Sequence, residues 1–413
     1  MLTSFLSRLL LCGVACLLLS PAILRADSPP LARLLALADS ASPALLEARL
    51  AVAEARANHT SARGFPNPAV FFESEDLSQD GIGSRESTVG VRQNLGFLWA
   101  QTPRASAARL AYEAALAQYE EQRRRLNADL VLALTRLRQL EIECRFLDSL
   151  LAVTDELLRH ANARQQAGDL SDYDTERIRL EAIELNSRYA AALEAEQEVK
   201  ADLTRRSGLS FALFEPAVLS EIPAPEFSDA GAAVHHAYSH RPLLREQEIR
   251  RTAAERNRTA ASRNRLPDLS VALGQKKVVD GPEGFVWEVA LELPLFHQRR
   301  SATTLARDQA GNAATLYESS KRTVEQDVRS AYAQWQALTR FGSEHLHGVG
   351  QRAQANLKLA VSLYLNGESG SLDLVDALRT GIDALTAAHE LELGRTRAAL
   401  HLRLATGLPL LEN

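Results

Sequence analysis

The residues whose spacing carries the most chemistry lie at 366-NGESGSLDLVDALRTG-381. There Glu368, Asp373 and Asp376 follow a glycine turn in a chain that reads as long helix on both sides. Asp373 and Asp376 are three apart, which puts both carboxylates on one helix face and concentrates charge that attracts cations. Capping is the plainer account. Ser371 reads as the N-cap of a returning helix, and in the related stretch 167-AGDLSDYDTERIRLE-181 Ser171 with Asp174 reads as a capping pair. Capping explains one acid in each first turn, but it does not require Asp376 one turn further on.

Other chemistry is sparse. No phosphate loop, nucleophile elbow or metal-ligand spacing occurs, so neither an enzyme nor a cofactor is expected. His235-His236 with His240, and His345 with His347, read as solvated helix or loop histidines. A formal charge of -5 gives no footprint for nucleic acid, and Arg123-Arg124-Arg125 beside Glu120 and Glu121 reads as a solvated helix face. At the N-terminus Arg8 precedes the apolar run 9-LLLCGVACLLL-19, then Pro21 and a cleavage point after Ala26. Residues 1–26 therefore read as a signal peptide and the mature chain as non-cytoplasmic. Cys16 could be lipidated, but 17-LLL-19 continues straight past it, which suits a signal core better. With Cys12 and Cys16 removed, Cys144 stands alone, without an intrachain disulfide.

The elements that must position these acids occur twice. At an offset of 199, 43-PALLEARLAVAEARA-57 matches 242-PLLREQEIRRTAAER-256, 91-VRQNLGF-97 matches 290-ALELPLF-296, Gly168 matches Gly367, and 206-RSGL-209 matches 405-ATGL-408. The expected organisation is a first repeat over 27–213 and a second over 242–413, joined by a linker at 214–241. In the first, a helix leads to a hairpin at 68–97, a long helix at 102–165 and a helix at 173–206. In the second, the hairpin is at 268–296 and the helices are at 301–365 and 372–406. Gly208 and Gly407 read as closing C-caps.

In the second hairpin Leu269, Val271 and Leu273 alternate with Ser270, Ala272 and Gly274. Phe285, Trp287, Val289, Leu291 and Leu293 alternate with Glu288, Ala290 and Glu292. In the first, Val89, Val91 and Leu95 alternate with Gly90, Arg92 and Asn94. Strands of this length, apolar on one face and with an interfacial Trp, suit a membrane-spanning barrel; an edge hairpin of a soluble sandwich would alternate alike. The helices favour the barrel. Leu126, Leu130, Ala133, Leu137, Leu140, Cys144, Leu147, Leu151, Thr154 and Leu158 step by fours and threes as a heptad seam, with Cys144 a core position. A helix over 102–165 spans on the order of 90 Å, so hairpin and acidic turn stand at opposite ends of a rod. Four strands cannot close a barrel, and open edges are not tolerated in lipid, so copies of the chain must close one together.

A signal peptide, two tandem copies of helix, hairpin, helix, helix, and the motifs 292-ELPLF-296, 367-GESGSLDLVDA-377 and 406-TGLP-409 together resemble the outer-membrane efflux proteins of the TolC family, over essentially the whole mature chain. The resemblance implies a mainly α protomer with a small β part, its long coiled-coil helices carrying four transmembrane strands. The homotrimer forms a 12-stranded outer-membrane β-barrel that continues into a periplasmic α-helical tunnel. It further implies outer membrane lipid around the barrel, and at the far end a periplasmic adaptor (membrane fusion) protein and an inner-membrane pump. The adaptor would dock at the turns holding Gly168, Asp169, Gly367 and Glu368. The motif similar to 373-DLVDA-377 would place Asp373 and Asp376 at the constriction of the entrance, six carboxylates around one aperture. The stretch 66-PNPAVFFESED-76 is similar to the CzcC-like branch, which serves heavy-metal pumps of the resistance-nodulation-division type. Two departures stand out. The chain has 97-FLWAQTPR-104 where relatives often carry Gly-Lys-Arg, and it stops five residues after Leu408, so a small equatorial collar is expected. The competing reading, a periplasmic adaptor or structural coiled coil, shares the heptads but has no use for two hairpins with outward Phe285, Trp287 and Leu291.

Overall fold

The first copy of the repeat builds its rod on one helix too long for any compact domain. The computed structural model describes residues 31–79, 82–214, 225–279, 281–296, 298–345 and 349–410. The signal-like segment with Cys12 and Cys16 lies outside the described residues, as does His347. In order, the elements are α1 (Leu31–Ala41), α2 (Pro43–Ala62), β1 (Ala69–Gln79), β2 (Ile82–Asn94), α3 (Leu98–Ala167) and α4 (Asp172–Ser207). A 3-10 turn follows at Phe211–Leu213. The second copy contains α5 (Ala230–His240), α6 (Pro242–Arg263), β3 (Asp268–Val278), β4 (Glu283–Glu292), α7 (Arg300–His345), α8 (Val349–Leu365) and α9 (Ser371–Thr406). The fold is mainly α with one small antiparallel sheet.

α1 and α5, 11 residues each, go beyond the periodicity reading, and α5 occupies part of the segment read as linker. Each stops one residue short of a proline, Pro43 or Pro242, that starts the next helix, since proline presets φ and needs no donor at N1. The alanine-rich α5 carries little pattern of its own, whereas α1 buries Leu31, Leu34, Leu35 and Ala38 at helical spacing. α5 is held by packing instead, with Ala233, Val234 and Ala237 in a core with Val324, Val328 and Ala331 of α7.

α3 has 70 residues, about 105 Å at 1.5 Å per residue. It starts at Leu98 rather than near 102 and carries Pro103 in its second turn. The extra turn is anchored from outside. Gln101 N–H donates to Phe97 O at 2.9 Å, and the Trp99 indole donates to Pro267 O in the second copy at 3.0 Å. Along the predicted seam Leu126, Leu130, Leu137, Cys144, Leu147 and Thr154 are buried, whereas Ala133, Leu140, Leu151 and Leu158 are half-buried and Leu134, Leu150 and Leu157 are covered beside them. The stripe is wider than a two-helix seam because α3 packs on α2, α4, α6 and α9. Of the predicted 301–365 helix, α7 and α8 are described; residues 346–348 between them lie outside the described residues.

The sheet has order β1-β2-β3-β4, all antiparallel. The middle pair joins the two copies, with Val91 opposite Leu273. β1 and β4 are left as edges. Upper and lower cores hold the rods together: one around Leu126, Leu130, Leu203 and Leu400, the other around Leu157, Ile178, Tyr364, Leu374 and Leu378 near the turns.

Candidate functional site

Register fixes the two faces of the sheet. Val70 pairs with Val91, Val91 with Leu273 and Leu273 with Trp287, so these four share one face with Phe72, Val89, Val289 and Leu291. All eight are exposed, and Phe285 on the same face is 92% exposed. An apolar face this extensive, interrupted by Gln275 between Val89 and Phe285, needs hydrocarbon or protein against it. The opposite face carries Glu73, Glu86, Arg92, Lys276 and Glu288. Arg92 pairs with Glu288 at 3.1 Å and with Glu73 at 3.9 Å, and Lys276 pairs with Glu86. Trp287, read as interfacial, is instead the fifth of ten residues of β4 and stands mid-strand.

At the other end of the rods the two turns are built alike. α3 ends on Gly168 (φ 82°), where Gly168 N–H donates to Gln165 O at 3.0 Å and Asp169 N–H to Arg164 O at 2.9 Å. α8 leads into Gly367 (φ 75°), whose N–H donates to Tyr364 O at 3.0 Å, while Glu368 N–H donates to Leu363 O at 2.9 Å. A left-handed residue at these positions satisfies the last helical carbonyls, and glycine adopts it without Cβ strain. A Cβ on either glycine would meet no atom within 4 Å, and Asp169 and Glu368 are exposed. Both glycine turns stand open at the end of the rod opposite the sheet.

Ser171 caps α4: its Oγ accepts from Asp174 N–H at 3.1 Å and donates to Asp174 Oδ2 at 2.6 Å. The equivalent N-cap of α9 is Gly370, not Ser371 as the sequence suggested. Glycine has no side chain to cap with, so Asp373 Oδ2 takes the Gly370 N–H at 3.3 Å. Ser371, one residue later and buried between the helices, donates to Asp174 Oδ1 and ties α9 to α4. The hydroxyls of Ser171, first, and Ser371 hold the Asp174 carboxyl below its ordinary range. Asp373 and Asp376 are both exposed on one face of α9, and Asp376 makes no hydrogen bond or ion pair among the described residues.

Sequence reading missed several ties between the copies. Arg379 of α9 pairs with buried Glu181 of α4 at 2.9 Å, and Arg188 of α4 pairs with Asp383 of α9 at 3.2 Å. Tyr364 lies buried beside the turns, and burial pushes its phenol up, Arg164 opposing and Asp174 adding. Arg124 corrects the reading of the arginine run. Arg123 pairs with Glu120 on the surface at 2.8 Å, and the exposed Arg125 pairs with buried Glu121 at 2.9 Å. Arg124 turns inward, donating to Gly407 O at 2.9 Å, Arg403 O at 3.2 Å and Leu408 O, and burial lowers its pKa. A period-3.6 pattern places one residue in three on the inner side. No signal in the run itself says which one finds a helix terminus there.

His236 is not free in solvent: its Nδ1 lies 3.0 Å from Thr406 O, and its ring stacks on His240 at 4.1 Å. Among the described residues no group of His, Cys, Asp and Glu could hold a metal. Cys144 is buried in the lower core, and burial, helped by Glu196, pushes its thiol up to about 11. No helix among the described residues is long and apolar enough to cross a membrane.

The family model of the outer membrane efflux proteins matches residues 233–408, the span from α5 through α9. The match falls on the second copy alone, less than half of the chain. The same fold extends over both copies. CusC is 17% identical, with 92% of each chain covered and a TM-score of 0.72. VceC of Vibrio cholerae is 18% identical, covering 92% of this chain and 96% of its own at 0.74. The Campylobacter jejuni CmeC outer membrane channel is 15% identical, covering 91% and 85% at 0.76. No curated protein matches the sequence.

Proposed function

We propose that three copies of this chain close their sheets into a twelve-stranded barrel, which continues into a helical tunnel as the outer duct of a tripartite efflux system. The observation that carries this reading is the four-stranded sheet, apolar on one face and charged on the other, with β1 and β4 open. Unpaired strand edges in hydrocarbon cost several kcal/mol per group, and closure with further copies removes them. A soluble adaptor gains nothing from such a sheet. In this reading the inner-membrane pump, of the resistance-nodulation-division type, and a periplasmic adaptor load the duct at the far end. The free turns Gly168-Asp169 and Gly367-Glu368 receive the adaptor. Asp373 and Asp376 form the entrance ring, supported by the exposure of both and by Asp376 having no partner among the described residues. Heavy-metal cations are the cargo that the CzcC-like stretch 66-PNPAVFFESED-76 favours.

Conductance across a planar bilayer tests the ring. Asp373→Asn with Asp376→Asn should weaken cation selectivity and relieve block by multivalent cations on the periplasmic side while trimer yield stays unchanged. Unaltered selectivity and block would remove the aspartates from the entrance. Docking is read separately. Asp169→Lys with Glu368→Lys should abolish crosslinking to the adaptor and resistance to metal salts, and normal crosslinking would place the contact elsewhere.

A further inference from the structure

Between α3 and α9, well away from sheet and turns, lies a cavity of about 440 Å³ bordered by Arg136, Gln139 and Glu143 on one side and His389, Glu390 and Arg397 on the other. α3 runs from the sheet towards the turns and α9 runs back. Arg136 and Glu143 are seven residues apart on α3, as are Glu390 and Arg397 on α9, about 10.5 Å along either axis. Antiparallel packing therefore sets the two arginines across the groove at its upper end and the two glutamates across it at its lower end. Like charges face each other at both levels. None of the four makes an ion pair or hydrogen bond to another side chain among the described residues. A second cavity of about 380 Å³ adjoins the arginine end; of its acids, Asp129 and Asp202 are paired with Arg206 at 3.0 and 2.7 Å, and Glu198 makes no ion pair with Arg136 or Arg397 among the described residues.

Between the two levels sits Gln139, more than nine-tenths buried, whose Nε2 has no hydrogen-bond partner among the described residues; His389 Nδ1 is likewise unpartnered. A buried amide without a partner is costly to maintain in a wall that serves only packing. The charges are arranged for something dipolar, negative at one end and positive at the other, with polar groups between.

We propose that this groove binds a short zwitterionic molecule of di- or tripeptide size, its carboxylate between Arg136 and Arg397 and its ammonium between Glu143 and Glu390. Three extended residues span about 10 Å, which matches the separation of the two levels. Gln139 Nε2 then donates to a carbonyl in the middle of the ligand. Guanidinium groups suit a carboxylate because their paired donors match its two oxygens. The site lies in the wall of the rod and is distinct from the entrance acids and from the docking turns.

Triglycine is the probe, titrated calorimetrically into the detergent-solubilised full chain. Saturable binding is expected, with N-acetyl-triglycine, which lacks the ammonium, and triglycine amide, which lacks the carboxylate, each at least about tenfold weaker. Arg397→Gln should weaken triglycine by about tenfold yet leave triglycine amide unchanged, and Glu390→Gln should do the same for N-acetyl-triglycine. Both residues are exposed, so folding is retained, and circular dichroism checks it. No saturable binding up to about 10 mM, equal affinity for the three peptides, or variants that bind like the wild type would each overturn the proposal.

Discussion

A lysine at position 287 tests the assignment of sheet faces directly. Ten residues of β4 at about 3.4 Å each, tilted by about 40°, rise roughly 26 Å, close to the height of the apolar band of an outer-membrane barrel. Trp287 is fifth of the ten and stands 74% exposed on the apolar face, so in the proposed barrel its side chain would meet the middle of the bilayer. Lysine there costs about 2–4 kcal/mol, and three copies in one trimer make that about 6–12 kcal/mol. Ala290→Lys adds the same charge on the opposite face, where Ala290 pairs with Ser270 and, in the proposed barrel, would look into a charged, water-filled lumen. Its cost there is at most about 1 kcal/mol per copy. Glu288→Lys also loses the 3.1 Å contact with Arg92, an exposed pair worth about 0–1 kcal/mol. The assay is the unheated trimer band of outer-membrane preparations, followed by urea unfolding in lipid vesicles. Trp287→Lys should lose most of the trimer while Ala290→Lys and Glu288→Lys retain it. Equal yields from all three would refute the orientation and with it the barrel.

Three further outcomes follow from the helices. Arg124→Ala strips the donors from the carbonyls of Arg403, Gly407 and Leu408, and should cost about 2–4 kcal/mol in urea unfolding, against about 0.5 kcal/mol for Arg123→Ala on the surface. Gly367→Ala should cost only the left-handed strain of about 1–2 kcal/mol. Gly407→Ala should cost more, because its Cβ would also stand 2.7 Å from the His240 carbonyl, and matching urea midpoints would disprove that close packing. Asp174 has a depressed carboxyl pKa in the fold, so its stabilising contribution is complete above the unfolded value near 3.9 and is lost as pH falls through the lower folded value. Hydrogen exchange at residues 165–175 should accelerate below about pH 4 in the wild type and lose that step in Asp174→Asn. An identical acid profile in both would exclude the hydroxyl tie.

Much of the architecture is carried locally by the chain. Strict alternation in 283–292 and the stepped leucines of 126–158 follow from the periods of the two structures, so the strands and the long helix are legible without any partner. The glycines at 168, 208, 367 and 407 mark helix ends because their left-handed conformation is a property of one residue. The duplication is visible for the same reason, since two copies with the same local pattern must fold alike. What depends on contacts between distant segments stayed hidden. Eleven residues of α5 take their helix from the α7 surface, and α3 gains a turn because Trp99 reaches Pro267, 168 positions away. Arg124 looks like its neighbours until α9 ends beside it. Ser371 looks like a cap until Asp174 of the other copy comes within reach. The groove between α3 and α9 exists only because antiparallel packing sets Arg136 level with Arg397 and Glu143 level with Glu390, a relation that no stretch of sequence contains.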